Sequence, residues 1–136
     1  MTGLADTLQI SAAGMRAQGE RLRVVSENIA NAESTSSKPG GDPYRRKVVV
    51  FQNVLDKELG MQTVKITGHV QDKSPFTLKY NPTHPAADAQ GYVKYPNVNT
   101  IVEMMDMREA RRGYEANLNV VEVSKSMLSQ TLSLLK

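Results

Sequence analysis

Hydrophobic side chains in this sequence recur with two different periods, and the change of period divides the chain. Across the last forty residues, 97–136, Met107, Tyr114, Val121, Leu128 and Leu135 follow one another every seven positions without a break. Leu118 and Leu132 sit four residues after Tyr114 and Leu128 and widen the stripe. A repeat of this kind predicts a long amphipathic helix that supercoils left-handed against a partner. Thr100 and Glu103 have the T-x-x-E spacing of a capping box, with Thr100 serving the N3 amide and Glu103 reaching back. From Thr100 to Leu135 such a helix would extend roughly 54 Å at about 1.5 Å per residue. In a chain of 136 residues, it has to find part of its burial outside its own chain.

The first 33 residues repeat the theme. Leu8, Met15, Leu22 and Ile29 are spaced by seven, and Leu4, Val25 and Ala32 occupy the flanking seam position. Ser11 and Gln18 interrupt that seam. Gly14 and Gly19 lie inside this segment and Gly113 inside the C-terminal one. An interior glycine costs a helix about 0.5–1 kcal/mol relative to alanine, so these helices gain their order by packing. Glycines also let two helix backbones approach closely. An ordinary two-helix hairpin within a monomer is the plainer alternative.

Between the helices the period falls to two. Residues 34–43, STSSKPGGDP, are small, polar, Gly or Pro and predict a loop. YRRKVVVFQNVL (44–55) is β-branched and aromatic and predicts a strand, with a turn near Asp56–Gly60. MQTVKITGHV (61–70) alternates Val64, Ile66 and, after a break at Gly68, Val70 with polar neighbours, as a half-buried strand does. SPFTLKY (74–80) places Phe76, Leu78 and Tyr80 on one face of a third strand, NPTHP (81–85) turns, and GYVKYP (91–96) returns as a short strand. The expected fold is mainly α with a small β insert. Helices from 1–33 and 97–136 pack as a coiled-coil-like inner domain around a linker and β-rich segment at 34–96.

Composition narrows the function. Apolar content of 40% argues against disorder, while 5% aromatics and no Trp argue against a large core. The net charge of +3 gives only a weak bias towards acidic partners. No cysteine is present, which excludes disulfides, thiol catalysis and cysteine metal sites. No apolar run approaches the roughly 18–20 residues that span a bilayer, so membrane insertion is not expected. MTGLADTLQI lacks the basic and apolar regions of a Sec signal, so any export is expected to use another route without a cleaved signal peptide.

Candidate chemistry is sparse. His69 and His84 belong to no H-x-x-x-H or H-E-x-x-H pattern, and Asp88 near His84 in a proline-bounded loop is weak ground for a dyad. There is no G-x-S-x-G and no phosphate-binding P-loop. An enzyme, a cofactor, a metal site and a small-molecule substrate are therefore not expected. Tyr44-Arg45-Arg46-Lys47 and Arg108-Glu109-Ala110-Arg111-Arg112 resemble nucleic-acid patches only superficially. Asp106, Glu109 and Glu115 interleave with the second, and Arg111 and Arg112 are spaced to pair with Glu115. A solvated or intersubunit-paired face is the better reading, without nucleic acid.

Two stretches carry a family resemblance. S-A-A-G-M-R-A-Q (11–18) leads into R-L-R-V-V-S-E-N-I-A-N-A (21–32), in which Asn28-Ile29-Ala30-Asn31 resembles the N-I-A-N motif that closes the first helix of flagellar axial proteins, the rod, hook and hook-associated subunits. Y-P-N-V-N-T-I-V-E-M-M-D-M-R-E-A-R-R-G-Y-E-A-N-L-N-V-V-E-V-S-K-S-M-L (95–128) resembles the proximal-rod members of that family, as does P-Y-R-R-K-V-V-V-F (43–51). Together these cover roughly two thirds of the chain.

The resemblance implies a structural subunit of the bacterial flagellar rod, located in the basal body across the periplasm and passed out through the flagellar type III export apparatus. It implies as partners further copies of the chain, other rod proteins and the proteins that join the rod to the MS ring. The expected subunit contacts are Leu8, Met15, Leu22, Val25, Ile29, Tyr114, Leu118, Val121, Leu128 and Leu132. Asn28, Asn31, Asn117 and Asn119 are expected to fix register as polar seam residues. The alternative is a small soluble helical-hairpin adaptor.

Overall fold

A computed structural model describes residues 2–56 and 60–135. Two long helices bracket four strands: α1 (Thr2–Ala30), β1 (Lys47–Asp56), β2 (Met61–Gln71), β3 (Thr77–Tyr80), β4 (Tyr92–Tyr95) and α2 (Thr100–Leu134). The expected architecture, terminal helices packed together with a small β segment between them, is the one observed. Part of the expected turn, residues 57–59, lies outside the described residues.

The helix ends show how local chemistry sets the boundaries. α1 stops at Ala30, and the Asn31 amide group donates twice to the Glu27 carbonyl, from its main-chain N (3.1 Å) and from Nδ2 (2.9 Å). Ser34 Oγ then donates to Asn31 Oδ1 (3.0 Å). The side chain closing the helix therefore also holds the first turn of the loop. α2 starts differently from the expected capping box. Asn99 is the cap, its Oδ1 accepting from the main-chain N–H of Ile101 (3.1 Å) and Val102 (3.5 Å). Thr100 is already helical, and the Glu103 carboxylate is engaged elsewhere, so neither is available for the cap.

β1 and β2 form one two-stranded sheet, and β2 runs on through Gly68. β3 and β4 form a second, antiparallel pair with Thr77 opposite Tyr95 and Tyr80 opposite Tyr92. β3 begins at Thr77, so Phe76 lies outside the strand expected to contain it.

The chain divides into two compact units. The first comprises residues 1–22, 50–68 and 108–136, the second residues 23–49 and 69–107. In the first unit the helices are antiparallel, with Gly14 against Asn117 and Gln18 against Gly113, while Arg21 pairs with Glu109 at 3.4 Å. A Cβ on Gly14 would stand 2.7 Å from Asn117 Nδ2, so glycine there permits the close approach. The buried side chains of this unit are small: Ser11, Ala13, Ala17, Ala110 and Ser124. Each alanine methyl among them contributes only about 0.8 kcal/mol. The second unit buries Val24, Val25, Ala86 and Val93, together with two polar side chains, Asn28 and Glu103.

Candidate assembly site: the helix seam and its junction

Two asparagines hold the root of the β segment in the second unit. Asn28, near the end of α1, is 1% exposed. Its Nδ2 donates to the Lys47 carbonyl (2.8 Å) and to Glu103 Oε2 (3.3 Å). Its Oδ1 accepts from the Lys47 main-chain N–H (3.0 Å) and from the Tyr44 hydroxyl (2.7 Å). Both donors and both lone pairs of the amide are used, and the Lys47 peptide is gripped as a neighbouring strand would grip it. Asn97 ties the preceding residue to the chain just beyond β2: its Oδ1 accepts from the Arg46 N–H (2.8 Å) and its Nδ2 donates to the Asp72 carbonyl (2.9 Å).

Between these two clamps the Arg46 side chain reaches three carboxylates. It donates to Glu103 Oε1, to Asp72 Oδ2 (3.2 Å) and to Asp106 Oδ2 (3.4 Å). Burial disfavours the guanidinium charge, but Glu103 and then Asp72 more than offset this, and the Arg46 pKa lies above its ordinary value. Glu103 is 0% exposed on the inward face of α2, two turns before Ala110. An ionised carboxylate is tolerable there because a fork-shaped cation and an amide satisfy it. Arg45 lies 4.1 Å over the Phe76 ring and donates to the Asp72 carbonyl (2.8 Å). The expected basic cluster at 44–47 is thus a set of internal ties. It borders an open, polar cleft of ≈ 550 Å³, in which Lys47 is already paired with Glu27 at 2.6 Å.

These ties give the second unit a defined pH window. The hydrogen bond from Lys47 holds Glu27 below the ordinary carboxylate value, and hydrogen bonds from Ser74, then Arg46, do the same for Asp72. Burial, then the charges of Glu27 and Glu103, push Tyr44 up to about 12. A lowered carboxylate stabilises the folded chain above its unfolded value and loses that contribution as pH falls through the folded value. A raised tyrosine stabilises below its unfolded value of 10.0 and loses its contribution as pH rises towards 12. Thermal melts across pH are expected to show a plateau bounded by an acid fall below about pH 4 and an alkaline fall above about pH 10. An optimum at either edge would contradict this assignment.

The seam residues fall into three groups. Val25 and Asn28 are enclosed by their own chain. Leu8, Met15, Leu22, Ile29, Asn31, Tyr114, Asn117, Leu118, Val121 and Leu128 are half-buried. Leu132 is 54% exposed, and Asn119 is also exposed. Asn117 donates to the Gly113 carbonyl of its own helix (2.9 Å). A second apolar line lies beside the first on α2: Val120, Val123, Met127 and Leu134, each more than 40% exposed.

The expected pairing of Arg111 and Arg112 with Glu115 does not form among the described residues. His84 Nδ1 accepts from the Ala86 N–H (3.0 Å), and Asp88 Oδ1 accepts from Gln90 and Tyr92 (2.9 and 3.0 Å). Both side chains build their loop. Among the described residues no cluster suits a metal ion, and no helix is long and apolar enough to cross a membrane.

Sequence reasoning missed Tyr44, Asp72, Asn97 and the inward role of Glu103. Glu103 is seven residues before Ala110 and fourteen before Asn117, a spacing that marks it as inward only once Ala110 is seen to be buried.

Comparison with known proteins places this geometry. A family model described as flagellar basal body rod FlgEFG protein C-terminal matches residues 89–134, which contain β4 and α2. A flagellar basal-body rod protein FlgC from Agrobacterium fabrum is 48% identical over 136 residues, covering 100% of this chain and 98% of that one. The protein of the same name from Salmonella typhimurium is 42% identical over 133 residues, covering 96% and 97%. That from Borreliella burgdorferi is 41% identical over 152 aligned positions, covering 98% and 99%. With identity of this level along its whole length, the chain belongs to the FlgC family of flagellar basal-body rod proteins.

Proposed function

We propose that the chain is a structural rod subunit whose terminal helices polymerise, each presenting a seam that neighbouring copies and other rod proteins complete. The observation that carries this reading is the incomplete burial of a long heptad stripe. Leu8, Met15, Leu22, Ile29, Tyr114, Leu118, Val121 and Leu128 are only half covered, and Leu132 is open. Asn117 lies beside this seam, Asn31 closes the end of α1, and Val25 and Asn28 support the seam from inside the chain. Burial of the remaining apolar surface at about 25 cal/mol per Å² supplies the drive. Repeated heterologous contacts whose rotation does not close give a helical tube, and so a driveshaft with a channel.

The work of such a subunit is mechanical, and no catalytic step is assigned to it. In this reading the subunit reaches the periplasmic rod through the flagellar type III export apparatus and meets the adaptor proteins of the MS ring at the rod base. The adaptor alternative finds no support in relatives matched from end to end.

The test replaces Val121 or Leu128 by aspartate in a strain lacking its own copy. Each variant is expected to be exported yet to leave the cells non-motile and without assembled rods. Normal swimming in both would remove the seam from the interface.

A further inference from the structure

The middle of α2 carries five exposed charged side chains, Arg108, Arg111, Arg112, Glu115 and Glu122, that form no ion pair among the described residues. Lys125, further along the helix, is likewise exposed, but the acidic groups nearer its start are paired. Glu103 and Asp106 are matched by Arg46, and Glu109 is matched by Arg21. Glu115 lies four residues after Arg111 and three after Arg112, within easy reach on a helix, yet the pairs are not made.

The five groups also share one side. Arg108, Glu115 and Glu122 are seven residues apart, and Arg111 and Arg112 fall between the first two. At about 3.6 residues per turn this sets them on the flank turned away from Ala110 and Ser124, which are buried. Along that flank the sign changes from three cations at 108–112 to two anions at 115–122, with Lys125 beyond them at its edge. Two copies of such a helix lying parallel and level would oppose arginine to arginine. A shift of three to fourteen residues, about 4.5–21 Å along the axis, sets the cations of one copy beside the anions of the next.

We propose that this flank is a contact between successive copies of the chain, in which Arg108, Arg111 and Arg112 of one subunit pair with Glu115 and Glu122 of another. The proposal rests on the assembly reading above and adds to it the direction of stacking and its stagger. The apolar seam supplies adhesion without fixing axial position, because a heptad stripe resembles itself after every two turns. The change of sign rejects the level register, since two parallel copies bring cations beside anions only when one is shifted along the axis. Charge patterns of this kind set register and partner choice more than strength.

The test uses the full chain in cells that lack their own copy. One variant carries Arg111→Glu and Arg112→Glu, the other Glu115→Arg and Glu122→Arg. Each alone is expected to reduce the fraction of swimming cells at least tenfold while the protein is still exported. Expressed together, the two variants are expected to restore swimming, because each presents the charge that the other now lacks. Normal swimming in either single strain overturns the proposal, as does failure of the mixed strain to recover. Loss confined to the arginine variant also overturns it, since that points to an acidic partner of a different kind. If the Val121 and Leu128 aspartate variants are non-motile while the charge variants swim, the rod reading stands and this contact alone falls.

Discussion

Replacement of Arg46 by alanine is expected to lower the stability of the full-length chain by about 3–5 kcal/mol, the cost of stranding a buried charge. Glu103 is 0% exposed and, among the described residues, would keep only the Asn28 amide as a partner. Asp72 and Asp106 would also lose their shared cation, placing three acidic groups around an empty space. Urea unfolding followed through the near-ultraviolet tyrosine signal reads this directly, because Tyr44, Tyr80, Tyr92 and Tyr95 all lie in the second unit. Arg46→Lys should recover only part of the loss, since an ammonium cannot span carboxylates in a planar fork. A loss of less than about 1 kcal/mol, the range of a surface pair, would show that water reaches Glu103 and that the cluster is not a structural tie.

Asn28→Leu should be nearly as damaging, through a different mechanism. The leucine fits the space, but the Lys47 N–H and C=O and the Tyr44 hydroxyl lose their partners. Each buried group left unsatisfied costs about 1–3 kcal/mol, and the terms are not additive because relaxation is shared. A total of about 3 kcal/mol is expected. Hydrogen exchange at the Lys47 amide gives the local reading, with exchange accelerating about a hundredfold at roughly 1.4 kcal/mol per factor of ten. Unchanged protection at that amide would show that the root of β1 is held by something other than Asn28. Tyr44→Phe, which removes one of the four hydrogen bonds, should cost about 1 kcal/mol.

The elements of the fold were legible because each declares itself through local periodicity. The stripes at Leu8–Ile29 and Met107–Leu135 predict α1 and α2, and the β-branched run at Val48–Phe51 predicts β1. The short strand at 92–95 was visible from its alternation and its bounding Gly91 and Pro96. What was not legible depends on residues far apart in sequence. Glu103 has the spacing of a capping-box partner for Thr100, and nothing local reveals that Arg46, 57 residues earlier, claims its carboxylate. The cap then falls to Asn99, one position before the expected one.

The N-I-A-N motif presents the same limit. Its sequence signals a helix end, and Asn31 does close the helix, but the partners of Asn28 lie beyond a loop whose path no local rule specifies. Arg111 and Arg112 illustrate the reverse case. A correct spacing rule names Glu115, and the folded chain does not use it. For the candidate interface, the inward and outward sides of α2 could be separated only once Ala110 and Ser124 were seen to be buried, because apolar residues occur on both.

The grip of Asn28 and Asn97 on the peptides at Arg46 and Lys47 has a consequence for how such a chain can diversify. Both amides hold main-chain atoms, which every residue except proline offers alike. The helical pair is therefore a socket indifferent to much of what is plugged into it. Insertions that leave residues 50–68 seated in the compact unit they share with 1–22 and 108–136 can enter and leave through the same two clamps. Descendants of one such chain could vary that added surface while keeping a common shaft.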